Sequence, residues 1–409
     1  FLGRHLVREL QAAGATVRGL SRSPDGDAAL RALGVEPVRG DLAEPAGLAT
    51  AVPAGTAAVF HAAADTSTWR GHRERQARVN VDGTHALATA ALATALIATG
   101  AAAQEKTRIA LVVKALGIGF FEAAAKGAEE AAAELGDVEI IYTGPTDTTA
   151  EGQIEVINAL IAQNVDAIAV SANDKDALVP ALQKAMERGI TVISWDSGVA
   201  PEGRAMHLNP SSNPLIGNMI IKLAADNLPE GGEVAVLSAS ATATNQNTWI
   251  EEMNKVMGNY PGITVVGTVY GDDLADKSYR EAQGLMSTYP NLKAIIAPTS
   301  VGIVAAAQAV TDAGKAGQIN VTGLGLPSEM AAHVKSGASK SFAIWNPIDL
   351  GYAATMLAYN ISKGAEAKPG AEIPMGRMGA AKLDEGNEAA MADPFVYDAS
   401  NIDQFSSIF

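Results

Sequence analysis

Residues 107–132, TRIALVVKALGIGFFEAAAKGAEEAA, decide the fold of most of this chain. The stretch opens with a strand-like run whose last five residues, 109–113, are all apolar. Such a continuous run is typical of a parallel strand that is buried on both faces. An alanine-rich pattern then predicts a helix over Glu122–Leu135. A strand followed by a helix is the repeating unit of a parallel sheet covered by helices, so we expect an α/β fold.

The same alternation continues to the C-terminal part of the chain. Eight more strand-like runs follow: VEIIYT, DAIAVSA, TVISW, EVAVLSA, TVVGTVY, KAIIAP, INVTGLG and SFAIW. The helices predicted between them are Thr149–Gln163, Ala177–Arg188, Pro214–Asn227, Thr248–Met257, Lys277–Thr288, Val301–Ala313 and Leu350–Lys363. These strands are too many for one comfortable sheet, so we predict two doubly wound lobes joined by hinge strands.

Two Asn-Pro sequences mark where the chain crosses between the lobes. HLNPSSNP, at 207–214, and the segment near Trp345–Pro347 both follow an apolar run directly. We therefore assign residues 104–208, with a return after 345, to the first lobe, and residues 209–344 to the second. Because proline limits bending to the few residues before it, we place hinges at Leu208–Ser211 and Ile344–Asn346 and expect the lobes to close about a ligand.

Composition excludes several classes of function. The 409 residues carry a net charge of −15, and such an acidic surface repels nucleic acid. With no cysteine there is neither a disulfide framework nor a thiolate zinc site, and we predict no metal and no cofactor. A sugar-sensing transcription regulator would need a basic helix-turn-helix before Lys106. The basic run WRGHRERQAR, at 69–78, instead predicts a solvated loop or helix face.

Polar and aromatic residues stand just after the apolar runs. In open parallel sheets the ligand crevice lies beyond the carboxyl ends of the strands, so these residues are the candidate ligand contacts. They are Lys114, Asn173, Asp196, Asn245, Gln246, Thr299, Ser300, Trp345 and Asn346. Each one alone also suits a helix N-cap or a turn. As a set they suit a polyol, whose hydroxyls bind amides and carboxylates and whose C–H faces stack on aromatic rings.

Several segments together resemble a solute-binding protein of the sugar ABC-importer class. They are VVKALGIGFFEAAAKGAEEAA, SANDKDAL, SWDSG, HLNPSSNPLIG, ATNQNTW, APTSVGIVAAAQA, GLGLPSEM and SFAIWNPIDLGY. The resemblance covers about residues 104–409 and is closest to the rhamnose-binding and autoinducer-2-binding branch. It implies a periplasmic, non-enzymatic monomer that delivers a monosaccharide to an importer permease.

The resemblance also implies a set of ligand contacts: Lys114, Phe121, Asn173, Asp196, Asn245, Gln246, Pro298 and Ser300. Phe120 and Phe121 either join this set or are core residues that open a helix. In the autoinducer-2 binders that this chain resembles, the position of Asn245 is an aspartate. The amide leaves rhamnose or a similar deoxysugar ahead of autoinducer-2 as the expected ligand.

Residues 1–84 resemble a different family, the extended short-chain dehydrogenases that act as NAD(P)-dependent epimerases and dehydratases. The segments that carry this resemblance are FLGRHLV, RGLSRSP, RGDLAEP, VFHAAADTSTW and RVNVDGT. It implies cofactor contacts from Gly3, Arg22, Asp41 and the loop Ala62–Ala64. The sequence begins after the first strand of that family and keeps only the last glycine of its glycine loop. We therefore expect a partial Rossmann-like fragment that does not bind NAD(P).

The catalytic Tyr-x-x-x-Lys pattern of that family occurs once, at Tyr289–Lys293. The family needs both side chains on one face of a continuous helix. Pro290 follows the tyrosine directly, which favours the exit of a helix instead. The pattern is therefore interpreted as a coincidence, and no enzymatic activity is predicted.

Residues 85–103 look like a secretory signal peptide in the middle of the chain. The segment LATALIATGAAA, at 92–103, predicts cleavage after Ala103. The other interpretation is one continuous helix, which the dehydrogenase pattern also expects after VNVDGT. With a junction near Thr84–Ala88, a fusion, natural or introduced during sequence assembly, is favoured over an evolved bifunctional protein.

Overall fold

The computed structural model describes residues 106–409 throughout. Before them it describes residues 2–12, 14–44, 77–82 and 84–85 and the single positions 48, 52 and 59. The chain divides into two compact units, Phe1–Glu105 and Lys106–Phe409. In the part of the chain that the structure describes, no helix is both long and apolar enough to span a membrane.

The described part of the first unit is a small α/β fragment. Its elements are α1 (Leu2–Ala12), β1 (Arg18–Ser21), α2 (Pro24–Arg31), β2 (Glu36–Arg39) and a π-helical turn at Arg78–Asp82. Strands β1 and β2 pair in parallel, as the sequence predicts for this region. Helix α2 begins where it does because the Ser23 hydroxyl accepts a hydrogen bond from the Gly26 N–H at 3.1 Å.

Three of the residues implied as dinucleotide contacts lie in this fragment. Gly3 lies within α1, and Arg22 follows β1 directly. The Asp41 carboxylate closes a turn by accepting a hydrogen bond from the Ala43 N–H at 2.9 Å. The loop Ala62–Ala64, nearly all of the basic run and the signal-like segment at 85–103 lie outside the described residues, apart from Ala77, Arg78 and His85.

The second unit alternates strands and helices as far as Ser362, and four short strands and a short helix follow. Its strands are β3 (Thr107–Val112), β4 (Val138–Thr143), β5 (Ala167–Val170), β6 (Thr191–Trp195), β7 (His207–Asn209), β8 (Gly232–Ser238), β9 (Ile263–Tyr270), β10 (Leu292–Ala297), β11 (Asn320–Gly323), β12 (Ser341–Ile344), β13 (Glu372–Pro374), β14 (Ala380–Lys382), β15 (Glu388–Ala390) and β16 (Phe395–Asp398). Its helices are α3 (Gly119–Leu135), α4 (Ala150–Ala162), α5 (Val179–Glu187), α6 (Asn213–Asp226), α7 (Thr244–Val256), α8 (Ala275–Thr288), α9 (Ser300–Asp312), α10 (Pro327–Lys335), α11 (Pro347–Ser362) and α12 (Ile402–Phe405).

The strands form two parallel sheets, one in each lobe. The first-lobe sheet has six strands in the order β15-β7-β6-β5-β3-β4, and the second-lobe sheet has four in the order β11-β10-β8-β9. An antiparallel ribbon of β12 and β16 lies beside the second sheet, joined to it by a bridge between Leu324 and Ala343. The predicted α/β fold with two parallel-sheet lobes is confirmed.

The chain crosses between the lobes three times. The first crossover lies between β7 and α6, and the second lies between β12 and α11, both at the predicted Asn-Pro sequences. The third, between β15 and β16, was not predicted, because strands of three and four residues leave too short an apolar run to recognise. Whether the first two crossovers act as hinges stays a prediction.

Two glycines set the packing of the helix pair that covers the first-lobe sheet. A Cβ at Gly127 in α3 would lie 1.7 Å from the Ile348 carbonyl oxygen. A Cβ at Gly351 in α11 would lie 1.9 Å from the Ala124 carbonyl oxygen. The two backbones therefore approach closely only because both side chains are hydrogen atoms. This contact fixes the start of α3, which carries two aromatic residues of the site.

The Tyr289–Lys293 pair is split between two elements. Tyr289 caps the C-terminal end of α8, and Lys293 lies in β10. The predicted helix exit after Thr288 is confirmed. The two side chains do not share a helix face.

Candidate functional site

A cavity lies between the two lobes, beyond the carboxyl ends of both sheets. Together with its opening to solvent it encloses about 420 Å³ of free space. Its lining residues come from both lobes and combine charged, amide, hydroxyl and aromatic groups. They are Lys114, Ile118, Phe120, Phe121, Asp196, Asn245, Gln246, Trp249, Asp273, Pro298, Thr299, Ser300, Leu324, Ile344 and Trp345.

Asp196 forms the polar floor of the cavity on the side of the first lobe. It follows β6 directly, with a left-handed φ of 58°, a conformation that Asp adopts more readily than most residues. Its carboxylate accepts a hydrogen bond from the Ser171 hydroxyl at 2.7 Å, which fixes one oxygen. The residue is only 4% exposed, so a ligand hydroxyl would meet this acceptor in surroundings with little water.

Asn245 bridges the two charged groups of the first lobe. Its Oδ1 accepts a hydrogen bond from Lys114 Nζ at 3.0 Å, and its Nδ2 donates to Asp196 Oδ1 at 3.2 Å. Asn245 lies in the first turn of α7 in the second lobe, so this pair of bonds joins the lobes across the cavity. All three side chains are at least nine-tenths buried.

Opposing effects act on the pKa of Asp196 at the floor of the cavity. Burial raises the pKa of Asp196 above its ordinary value, and the charge of Asp273 acts in the same direction. The positive charge of Lys114 and the hydrogen bond from Ser171 act to lower that pKa. A carboxyl group with one lysine nearby and several neutral donors suits hydroxyls better than a charged ligand.

Gln246 presents its amide nitrogen to the cavity. Its Oε1 accepts hydrogen bonds from the Ser238 hydroxyl at 2.8 Å and the Ala239 N–H at 2.7 Å. The oxygen is therefore occupied, while the NH₂ group makes no hydrogen bond among residues 106–409. The Thr299 hydroxyl makes two hydrogen bonds. It accepts one from a backbone N–H at the start of α9, which it caps, and it donates one to Asp273.

Four aromatic rings form the opposite wall. Phe121, Phe120, Trp345 and Trp249 follow one another in edge-on contacts, with ring centroids 5.3, 6.2 and 5.6 Å apart. Trp195, in the core below, continues the series at 5.9 Å from Phe121. The Trp345 indole N–H is buried and has no hydrogen-bond partner among the described residues.

Ten of the twelve predicted ligand residues line this cavity. Asn346 does not, because it caps α11, where its Oδ1 accepts a hydrogen bond from the Ile348 N–H at 3.0 Å. Asn173 does not line it either. Its Nδ2 donates to the carbonyl oxygens of Lys114, at 2.9 Å, and Thr149, at 3.1 Å. The amide nitrogen of Asn173 thus holds two loops together. Ligand contact by any of the twelve residues stays a prediction.

Five lining residues were missed by the sequence analysis: Ile118, Trp249, Asp273, Leu324 and Ile344. Asp273 could have been found by the rule used for the others, since GDD follows the apolar run of β9 directly. Trp249 stands four residues after Asn245, so both lie on the same face of α7, and this spacing could also have predicted its place in the lining. No group of metal-binding side chains occurs within the described residues.

Comparison with known proteins identifies the family of this chain. The model of the periplasmic binding protein domain matches residues 109–366. The chain belongs to this family. The D-ribose/D-allose-binding protein of Pseudomonas aeruginosa is 30% identical over 228 residues, which are 54% of this chain and 70% of that protein.

Solved structures of solute-binding proteins share the fold of the second unit. An ABC transporter solute-binding protein from Clostridium phytofermentas with bound L-rhamnose is 34% identical, with a TM-score of 0.72, over 74% of this chain and 99% of that one. LsrB from Clostridium saccharobutylicum in complex with AI-2 is 24% identical, with a TM-score of 0.69, over 73% of this chain and 99% of that one. The latter likeness concerns the fold alone.

A second family model matches the other end of the chain. The NAD dependent epimerase/dehydratase family matches residues 1–104, just before the periplasmic binding protein match begins at residue 109. Both resemblances seen in the sequence are confirmed as matches to families.

Proposed function

We propose that the second unit is a periplasmic solute-binding protein that delivers a neutral monosaccharide, L-rhamnose or a similar 6-deoxyhexose, to the permease of an ABC importer. The observation that carries this proposal is the buried Lys114–Asn245–Asp196 bridge opposite an aromatic wall. A ligand between them contacts both lobes at once. The rhamnose-bound relative at 34% identity supports the same reading.

The chemistry of the two walls fits the two sides of a deoxysugar. Hydroxyl groups donate to the carboxylate of Asp196 and accept from Lys114 and Gln246. The C–H face of the ring packs against the indoles of Trp249 and Trp345, and the free N–H of Trp345 donates to one further oxygen. The methyl group of a 6-deoxyhexose finds apolar surroundings among Ile118, Leu324 and Ile344.

Calorimetry with L-rhamnose and L-mannose tests this reading directly, because L-mannose differs only by a hydroxyl on C6. We expect rhamnose to bind at about micromolar affinity, or about −8 kcal/mol. L-mannose should bind at least about tenfold more weakly, because its extra hydroxyl would be buried among apolar groups. An amino acid that binds while no deoxyhexose does would overturn the proposal.

Autoinducer-2 is the second candidate ligand, supported by the shared fold with the AI-2 complex. Asn245 stands where the autoinducer-2 binders resembling this chain carry an aspartate. If the amide selects rhamnose, Asn245→Asp should weaken rhamnose binding and strengthen autoinducer-2 binding. If this substitution changes the affinities for both ligands equally, Asn245 does not select between them.

The first unit is proposed to take no part in binding or catalysis. A fluorescence titration with NADPH should stay flat for the full chain. Saturable quenching would instead assign a dinucleotide site to the epimerase-like region.

A further inference from the structure

A series of side-chain hydrogen bonds runs from the edge of the first-lobe sheet to the aromatic wall of the cavity. Its members, here called the relay, are Ser194, His207, Asn209, Asn213 and Trp249. Ser194 Oγ lies 2.9 Å from His207 Nδ1, and His207 Nε2 lies 3.2 Å from Asn209 Oδ1. Asn213 Nδ2 donates to Asn209 Oδ1 at 3.2 Å, and Trp249 Nε1 donates to Asn213 Oδ1 at 2.9 Å.

The relay has a fixed direction because the indole N–H of Trp249 can only donate. Asn213 must therefore accept with its oxygen, which turns its NH₂ group toward Asn209. Asn209 in turn accepts with its oxygen and donates its own NH₂ to Glu388 Oε2 at 3.0 Å. His207 must then carry its proton on Nε2. No amide in the relay can turn over without losing a bond at both of its ends.

The relay also crosses between the lobes. Asn209 is the last residue of β7 in the first lobe, and Asn213 is the first residue of α6 in the second lobe. The bond between them spans the first crossover, so a rotation there changes the distance between the two side chains. At the cavity end, the Trp249 ring touches Trp345 at the second crossover. At the other end, Glu388 stands in β15 just before the third crossover.

We propose that Asn213 is a positioning residue, which orients the indole of Trp249 for the sugar only while the first crossover keeps Asn209 within hydrogen-bond reach. Asn213 does not itself line the cavity. The inference rests on the proposed function, since it takes the cavity to hold a sugar. It makes the arrangement of the lobes and the shape of the aromatic wall depend on each other.

A merely structural role for Asn213 would be a different proposal with different consequences. The residue opens α6, but the N-cap of that helix is Ser212, which makes no side-chain capping bond. If Asn213 only stabilised the start of the helix, its loss would lower the free energy of unfolding. The affinity of the folded protein for sugar would then be unchanged.

The test is a double-mutant cycle in the full chain with Asn213→Ala and Trp249→Phe. Phenylalanine keeps an aromatic ring but removes the indole N–H. Each single variant should weaken L-rhamnose binding about tenfold, the effect of one buried hydrogen bond. The double variant should be about as weak as either single one, because both break the same bond. The indole ¹⁵N–¹H resonance of Trp249, assigned by its absence in Trp249→Phe, should also shift in Asn213→Ala.

Asn218→Ala is the matched control. This residue lies on the same helix and accepts a side-chain hydrogen bond from Tyr260 at 2.7 Å, outside the relay. Its loss should lower stability and leave both the affinity and the Trp249 resonance unchanged. Additive effects in the cycle, or an unshifted resonance in Asn213→Ala, would overturn the inference. If the unmodified protein binds no sugar, the proposed function fails, while the resonance still tests the relay separately.

Discussion

The two lobes contribute to the cavity in different ways. The first lobe supplies its charged floor from loops that follow strands, with Lys114 after β3 and Asp196 after β6. The second lobe supplies amides and an indole from the opening turns of α7, namely Asn245, Gln246 and Trp249. Its one lining carboxylate, Asp273, lies in a loop and is less buried than Asp196.

This difference indicates a division of roles. A buried charge on a strand end is held by the whole sheet, so the first lobe should determine how strongly a sugar binds. Neutral groups on a helix start can adapt in position, so the second lobe should determine which sugar binds.

The largest effect is expected at the floor of the first lobe. Asp196→Ala leaves sugar hydroxyls without their carboxylate, at a cost of roughly 1.5–3 kcal/mol for each charge-assisted bond. Affinity for L-rhamnose, measured by calorimetry, should therefore fall about a hundredfold or more. Asp273→Ala is the matched change in the second lobe and should cost about tenfold or less. The comparison fails if the Asp273 variant loses more affinity than the Asp196 variant.

Each lobe has a tightly packed helix glycine, and replacing it by alanine should lower the free energy of unfolding by a different amount in each lobe. Gly127→Ala places a methyl group on the Ile348 carbonyl oxygen, at 1.7 Å in the present packing. Gly217→Ala in α6 would meet the Glu252 Cβ at 2.4 Å and the Met253 nitrogen at 2.7 Å. Overpacking of this kind costs about 1–3 kcal/mol, and Gly127 should lie at the upper end. Urea unfolding measures both values, and a smaller loss for Gly127→Ala would contradict the expected order.

Each lobe contains a histidine whose pKa is lowered by burial, so we expect the protein to lose stability in mild acid. Burial lowers the pKa of His207 to about 4, with Glu388 acting to raise it and Arg204 to lower it. Between about pH 6.5 and pH 4 the unfolded chain takes up a proton that the folded chain refuses, so stability falls as pH falls. We expect a loss of about 3 kcal/mol across this window.

Chemical denaturation at several pH values would measure this loss. His207→Gln should flatten the dependence, because glutamine does not titrate. His333 in the second lobe, whose pKa burial also lowers, is more exposed, so His333→Gln should change the dependence less. A pH dependence that survives in His207→Gln would assign it to other groups.

The smallest effect is expected at the second crossover. Trp345→Phe removes the unpartnered N–H and keeps a ring against Trp249 and Phe120. Rhamnose affinity should fall about tenfold, the value of one hydrogen bond to a buried donor. Stability should also fall, because phenylalanine leaves part of the buried indole's volume empty. An unchanged rhamnose affinity beside that loss of stability would mean that the indole serves packing and not the sugar.

The sequence predicts the first-lobe part of the site better than the second. Lys114 and Asp196 follow long apolar strands directly, so their place at the sheet edge can be deduced from the pattern alone. Asn173 satisfies the same pattern, yet its amide bonds two backbone carbonyls. A rule based on position along the chain cannot tell whether a side chain turns toward the crevice or toward a neighbouring loop.

Helix starts were the other source of error. The structure begins α3 at Gly119 and α7 at Thr244, several residues before the predicted starts at Glu122 and Thr248. Neither helix has a side chain that caps its start, so the usual sequence signal is missing there. The cavity-lining residues Phe120, Phe121, Asn245 and Gln246 stand in these unrecognised first turns.

The edge-on series of rings gives the protein an optical signature of its own. Trp249 belongs to the second lobe, and Trp345 stands at the crossover to the first, with their ring centroids 5.6 Å apart at 64°. Two indoles this close couple their electronic transitions, and the resulting circular-dichroism couplet depends on both their distance and their mutual angle. A rotation of the lobes therefore changes a spectrum that needs no label. The same pair that shapes the wall of the cavity would make a rotation of the lobes visible in ultraviolet light.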